Sequence, residues 1–377
     1  MNLINENSAW LNETWNKLHK KLSEVAIRSR DKLPSTAVDG VHNSMDEAPT
    51  CWTNGFFGGM MWLMYNMTQN REYMATAQRS EELLGAALPQ YDSLHHDVGF
   101  MWHITSGASY RLTGSQKSRA TNLYMASLLS SRFVLGGNYI RAWNEKGHDD
   151  DTIIDTLLNL PLLYWASCET NDDRFKRIAM AHADMAMRDH VREDGSTVHI
   201  VKHNREDGKK IEDIAGQGYS KDTCWSRGLS CAIYGFALSY IHTKKAAYLD
   251  TAIKCADYFI AECEKSGYLP LLDFKAPKDD IYYDSTAGVI SACGLIEIAK
   301  LLGQNKGEKY LAAAIKVLKE TDQRCCDYDP DTDAIVGMGS VFYPHENLSK
   351  VHIPIIYGDF YYVEAISKLM GSEFLIW

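Results

Sequence analysis

The sequence predicts an all-α chain: six helical hairpins closed into an (α/α)6 barrel, with a short β-hairpin inserted on one rim. Three observations carry that expectation. Six segments share one plan, in which a polar or aromatic cluster runs into an almost uncharged helix. Amphipathic helices with one charged face alternate with them. The first and last of the six segments, WTNGFFGG and YGDFYY, are as rich in Gly and aromatics as the middle ones. An open solenoid would need polar capping repeats at those ends, so a closed ring is the better reading.

Glu6–Arg28 reads as the first outer helix. The uncharged segments are Trp52–Tyr65, His95–Tyr110, Ile154–Ala166, Trp225–Tyr240, Tyr283–Leu302 and Tyr357–Leu369. Anchored on Trp52, Asp97, Asp155, Trp225, Asp284 and Asp359, they recur at steps of 45, 58, 70, 59 and 75 residues, one hairpin plus a variable loop each time. A helix apolar nearly all round is buried, whereas one with a single apolar stripe is half exposed. Such stripes lie in Glu72–Leu84, around Ile178–Met187, in Tyr310–Leu318, and in Ala247–Cys263 through Leu249, Ala252, Ile253, Ala256, Phe259, Ile260 and Cys263. Strand signals are confined to short pieces such as Thr197–Val201, followed by an Asp207–Gly208 turn and Ile211. Because every polar cluster precedes its inner helix, all six gather on one rim, at helix N-termini that favour anionic groups.

A chain of 377 residues with 45% hydrophobic and 23% charged residues is ordinary globular material, which excludes disordered and low-complexity classes. The repeat turns a length that allows two or three domains into one, spanning 1–377. Lys+Arg total 39 against 49 Asp+Glu, a formal −10. Nucleic acid and long polyanions are poor partners for that balance, because their affinity rests on clustered Lys and Arg. The N-terminal stretch lacks a basic region followed by an apolar one. Apolar runs such as Leu157–Ala166 are interrupted by Asn159 and Pro161, so neither a signal segment nor a membrane span is expected. Nine cysteines are scattered, apart from the Cys325–Cys326 pair, with no C-x-x-C and no zinc spacing. Reduced thiols in a cytoplasmic protein follow.

Asp155 has the most apolar context of any carboxylate, in TIIDTLLNLPLL. Desolvation raises a carboxyl pKa, which suits a general acid at neutral pH, and an N-cap on a helix starting at Thr156 is the equally weighted structural alternative. Asp97, in HHDVGF, has the same two readings. His95, His96 and Asp97 are poorly arranged for one metal ion, since adjacent residues on a regular element point apart, and the acidic run His148–Asp151 reads as solvated loop. Trp52, Trp143 and Trp225 stand at loop or helix-start positions, where aromatic rings stack on sugar faces or fill core. Arg227 could grip a carboxylate with its fork or pair with a structural Asp, at equal weight. His199 and Gln217 lie in the strand-bearing insertion that folds over the rim. The glycine pairs Gly216/Gly218 and Gly337/Gly339 lack a strand–helix unit and do not read as dinucleotide sites.

Together these residues resemble the unsaturated glucuronyl hydrolases, the family-88 glycoside hydrolases. The likeness runs through WTNGFFGG at 52–59, HHDVGF at 95–100, RAW at 141–143 and IIDTLLNLPLLYWA at 153–166. It continues in WSRG at 225–228, IYGFAL at 233–238, YYDSTAG at 282–288, ACGLIEIA at 292–299 and YGDFYYVEA at 357–365. The resemblance implies an (α/α)6 barrel without metal or cofactor. It also implies a small anionic substrate, an oligosaccharide with a 4,5-unsaturated uronic acid at its non-reducing end, produced by a polysaccharide lyase. Asp155 would protonate C4 and deliver water to C5; Asp97 would orient ring hydroxyls or tune Asp155 through like-charge coupling. Trp52, His96, Trp143, His199, Gln217, Trp225 and Arg227 would hold the uronate and the water. A monomer or homodimer in bacterial carbohydrate metabolism is implied.

Two departures stand out. Cys231 occupies the place of a tryptophan in the family's R-G-x-x-W, and Asn54 replaces the acid of W-T-D-G. The segment 337–356 carries none of the motifs. The neighbouring reading is an unsaturated rhamnogalacturonyl hydrolase acting on pectin fragments. From other classes come a sugar 2-epimerase, which would depend on histidines rather than Asp155, and a helical-repeat scaffold indifferent to both carboxylates.

Overall fold

The computed structural model describes residues 2–345 and 347–377. After a short helix Asn2–Glu6, the outer helices are α1 (Ser8–Arg28), α3 (Arg71–Leu84), α5 (Gln116–Ser131), α7 (Asp173–Asp189), α9 (Ala246–Lys265) and α11 (304–325). Alternating with them are the inner helices α2 (Phe56–Thr68), α4 (99–113), α6 (Leu160–Thr170), α8 (Ser226–Thr243), α10 (285–302) and α12 (Ile356–Leu369). Each inner helix packs on the next, and α12 packs back on α2, which closes the ring. The expected (α/α)6 barrel is therefore the architecture found.

The inner helices are buried as their composition demands. Every residue of α12 from Ile356 to Leu369 is buried, as is every residue of α8 from Ser226 to Ser239. Outer helices bury one stripe. In α9 the buried stripe runs through Tyr248, Thr251, Ala252, Cys255, Ala256, Phe259 and Cys263; Ala252, Ala256, Phe259 and Cys263 are as expected, while Leu249, Ile253 and Ile260 lie half-buried on its flank. Helices α10 and α11 are continuous in hydrogen bonding over Ser285–Cys325 but kink at Gly303 (φ 73°, ψ 179°), a conformation open essentially to glycine alone. That one residue separates inner helix from outer. By length and composition Ser285–Cys325 is apolar enough to cross a membrane, and 72% of its most apolar window is buried within the barrel.

The first part of α4, Gly99–Gly107, is wound as a π-helix, a rare form that recurs at functional sites. The barrel axis is filled rather than open. Trp377 stacks on Tyr361 at 5.8 Å and meets Phe100, Tyr234 and Phe360 edge-on. Its indole N–H donates to Glu364 at 3.1 Å.

Among the described residues there are three small antiparallel sheets: β1 (Ala37–Val38) with β2 (Val41–His42), β3 (Phe133–Val134) with β4 (Tyr139–Ile140), and β5 (Asp151–Ile153), β6 (Ile200–His203) and β7 (Lys210–Ile214) together. The β6–β7 hairpin is the expected insertion, turning at Gly208 (φ +68°). Its third strand, β5, has no signal of its own in the sequence. The register pairs Ile153 with Ile200, and this pairing positions the site.

Candidate active site

Beyond the Ile153–Ile200 pair the two strands run on together, and Ile154 N donates to His199 O at 3.0 Å. Asp155, the next residue, thus lies beside His199, with Oδ2 3.4 Å from Nε2. Asp155 sits inside a 3-10 turn, Ile154–Leu158, and makes no capping hydrogen bond. Asp97 precedes α4 and makes none either. The capping alternative fails for both.

Asp284 and Asp359, the corresponding acids of two other clusters, are structural. Asp284 caps α10 by accepting from Thr286 N at 3.1 Å. Asp359 accepts from Ile335 N and Val336 N at 3.0 and 2.6 Å. The two carboxylates without such work are Asp97 and Asp155.

The expected proton assignment is inverted. Burial pushes the Asp155 pKa up, but His199, His96 and Arg227 outweigh it and hold the carboxyl below its usual range. The sequence context registers the burial and not these three groups, which arrive from other parts of the chain. Asp97 is the raised acid: burial first, then the Asp155 charge, push it up to about 8. Near neutral pH the pair therefore holds one proton, on Asp97. His96, with Nε2 3.3 Å from Asp97 Oδ2 and Nδ1 2.9 Å from Thr156 Oγ1, joins the two turns. Burial holds its imidazole down to about 3, so it is neutral.

The remaining clusters converge on the same rim. Trp52 stacks on Tyr357 of α12 at 5.1 Å. Trp225 lies 4.2 Å from the His199 ring, and the Arg227 guanidinium stands 4.5 Å over Trp225 and 5.2 Å over Tyr357. Trp143 meets His96 edge-on at 6.4 Å. A cavity of about 420 Å3 opens here, walled by Trp52, His95, Asp97, Trp143 and Glu145. Asp155 Oδ2, His199 Nε2 and Trp225 Nε1 are buried polar atoms without hydrogen-bond partners. Buried polar groups are normally satisfied, and these three meet where the carboxylates and tryptophans converge.

Arg227 resolves toward the structural alternative. Its Nη1 donates to Asp284 Oδ2 at 3.1 Å and Ser340 O at 2.6 Å, and its Nη2 to Val341 O at 2.6 Å. Gln217 is likewise engaged, its Nε2 donating to Val341 O at 2.6 Å. The run His148–Asp151 is paired rather than simply solvated: His148 Nδ1 lies 2.7 Å from Asp151 Oδ2, and Arg205 Nε donates to Asp150 at 2.9 Å. Among the described residues no cluster of three or more His, Cys, Asp or Glu is placed to hold a metal ion.

Two groups, Arg132 and Thr156, and one contact have no reading in the sequence. Cys231, noted there only as a departure from the family tryptophan, has its Sγ donating to Asp155 Oδ1 at 3.8 Å; one turn beyond Arg227 on α8, it was traceable as the same helix face. Arg132 donates to Leu94 O, Ala142 O and Asn144 Oδ1, tying the loops of His96 and Trp143 together; nothing local signals it. Thr156 was visible only as a neighbour of Asp155. Asn54 also gains a reason, since its Nδ2 donates to Ala48 O and Pro49 O, each at 3.1 Å, which an aspartate could not do.

The raised acid has a consequence for stability. An unfolded Asp97 titrates near 4, so the folded state binds more protons between there and about 8, and stability falls as pH rises through that window. Asp97→Asn removes the effect. The variant is expected to unfold at higher temperature than wild type at pH 7, by at least about 1 kcal/mol, with the gap closing near pH 4. Paired thermal melts across pH check this; equal melting at both pH values would contradict it.

Two coupled carboxylates between tryptophans, at the mouth of a helical barrel, define a glycoside hydrolase. No family model matches the chain. It is 33% identical over 347 residues to the unsaturated glucuronyl hydrolase of Bacillus sp. strain GL1, covering 90% of this chain and 91% of that one. It is 30% identical over 356 residues to the unsaturated chondroitin disaccharide hydrolase of Streptococcus pneumoniae, covering 92% and 89%. Among solved structures, an unsaturated glucuronyl hydrolase with dGlcA-Glc-Rha-Glc superposes with a TM-score of 0.88 at 30% identity, over 95% of this chain and 97% of the other. The chain belongs to the unsaturated glucuronyl hydrolase family.

Proposed function

We propose that this enzyme releases the 4,5-unsaturated uronic acid from the non-reducing end of lyase-generated glycosaminoglycan disaccharides, by hydrating the C4=C5 vinyl ether. The observation that carries the reading is Asp155, whose buried Oδ2 has no hydrogen-bond partner and faces His199 Nε2 beside a second carboxyl that keeps its proton.

A vinyl ether is attacked by acid at C4, because the ring oxygen stabilises the cation left at C5. Asp155 gives its proton to C4, water adds at C5, and the water's proton returns to Asp155. The hemiketal at C5 then opens to a ketone, leaving C1 as a hemiacetal that collapses to an aldehyde and expels the leaving sugar. Water is consumed and the carboxyl is regenerated. Asp155 is ionised in the empty site, and the substrate supplies the change. Its own carboxylate brings a further negative charge into the cavity, which raises the Asp155 pKa and loads it with a proton. Asp97, neutral near pH 7, donates a hydrogen bond to the ring hydroxyls, while Trp52, Trp143 and Trp225 provide stacking faces and His96 and His199 polar contacts. The rim needs only these few local groups, so an enzyme of formal charge −10 can take an acidic end group.

The test is a panel of unsaturated disaccharides from chondroitin, hyaluronan and heparin, followed by the ultraviolet absorbance of the double bond. Loss of absorbance on at least one is expected. Unchanged absorbance on all three, with loss on an unsaturated rhamnogalacturonyl disaccharide, would move the enzyme to pectin fragments.

A further inference from the structure

Residues Gly216 and Gln217 form the link that leaves β7. We propose that their backbone is a positioning device: it fixes which nitrogen of His199 carries the proton and sets that N–H beside Asp155. The inference rests on the reading of Asp155 as the proton-handling group.

The geometry is specific. The Gln217 backbone N–H donates to His199 Nδ1 at 2.9 Å. A ring nitrogen that accepts carries no proton, so with Nδ1 accepting, the ring N–H of His199 is on Nε2. That Nε2 stands 3.4 Å from Asp155 Oδ2, and neither atom has a hydrogen-bond partner. Trp225 lies against the ring at 4.2 Å, so the imidazole is held between an indole and the 216–217 backbone.

Only glycine fits beside it. Gly216 has φ +58°, and a Cβ there would overlap His199 Nδ1 and stand 2.7 Å from its Cε1. The link itself is anchored. Gln217 Nε2 donates to Val341 O at 2.6 Å, Tyr343 N donates to Gln217 O at 2.8 Å, and Arg227 Nη2 donates to the same Val341 O at 2.6 Å. The Gln217 side chain therefore secures its own backbone, and the 341–343 segment is connected to Asp155 through one peptide N–H and one imidazole.

The groups facing Asp155 are His199 just ahead of β6, His96 and Asp97 ahead of α4, Arg227 and Cys231 on α8, and Tyr357 and Tyr361 on α12. Of these, His199 alone is oriented by the 216–217 link. Turning its N–H away leaves the ionised Asp155 less stabilised, so the limb of the kcat/KM profile on which Asp155 loses its proton moves to higher pH.

The experiment uses the full-length enzyme labelled with 15N-histidine. In wild type the His199 spectrum should show an unprotonated Nδ1 and a protonated Nε2. Gly216→Ala should abolish that signature, lower kcat by about 10- to 100-fold and move the limb set by Asp155 deprotonation to higher pH. In a His199→Ala background the same change should lower kcat no more than about 2-fold further. Gln217→Ala, which keeps the backbone N–H, should lower kcat with KM unchanged. A wild-type proton on Nδ1, an undiminished Gly216→Ala loss in the His199→Ala background, or a Gln217→Ala effect confined to KM would each overturn the proposal. Should Gly216→Ala not fold, the wild-type tautomer and Gln217→Ala still decide it. Absence of turnover on every disaccharide would remove the functional reading, while the tautomer result would still stand for or against this one.

Discussion

Asp155→Asn is expected to lower turnover by about a hundred- to ten-thousand-fold while leaving substrate binding within a few-fold of wild type. The amide keeps the shape of the carboxylate, so the cavity and its aromatic walls persist. What disappears is the ability to give a proton to C4 and take one from water. The fold should survive, because Asp155 caps no helix and its polar neighbours are the Cys231 thiol at 3.8 Å and His199 at 3.4 Å. Absorbance assays for kcat, calorimetry for binding and circular dichroism for folding check this together. Retention of more than about a tenth of wild-type turnover would remove Asp155 from the proton-transfer role.

The second large effect concerns stability. Arg227→Met should destabilise the protein by about 3–5 kcal/mol, because it strands a buried carboxylate. Asp284 is fully buried and Arg227 is 3% exposed. Its Asp284 Oδ1 accepts from Thr286 and Ser340, but Arg227 alone supplies the opposite charge in this pair. Losing the guanidinium also frees Ser340 O and Val341 O, which loosens the segment that holds Gln217. Urea unfolding should show a lower midpoint. The competing sequence reading, in which Arg227 grips the uronate, expects wild-type stability and a raised KM, and that outcome would contradict the structural assignment. Arg227→Lys, which keeps the charge without the fork, should fall between.

The ring was legible because alternation of all-round apolar and one-stripe helices is a property of the sequence itself. Its closure followed from the apolar ends. The break at Gly303 lies at the end of the expected Tyr283–Leu302 segment, so both halves of Ser285–Cys325 were readable. The insertion was half legible. The hairpin of β6 and β7 shows turn and strand residues, whereas β5 is recruited by a partner some 50 residues away and reads locally as the lead into a helix.

The site divides the same way. Trp52, Asp97, Asp155, Trp225 and Arg227 were found because each stands just before or at the start of a recurring inner helix. Their duties were not, since those are set by contacts between helices. Arg227 belongs to Asp284 because α8 and α10 are neighbours in the ring. The proton sits on Asp97 rather than Asp155 because His199, His96 and Arg227 converge on the latter. Gly216 matters through a positive φ and a peptide N–H, neither of which leaves a trace in composition.

The central claim is hydration of the double bond, and one stoichiometric time course tests it most directly. Wild-type enzyme is mixed with a lyase-generated disaccharide, and double-bond absorbance and free leaving sugar are followed in the same sample from the first turnover. Hydration at C5 predicts that each leaving sugar released is matched by one double bond already lost, with no lag in the absorbance. Leaving sugar that accumulates ahead of the absorbance change, with an intact unsaturated monosaccharide as first product, would mean direct cleavage at the glycosidic bond and would contradict the account.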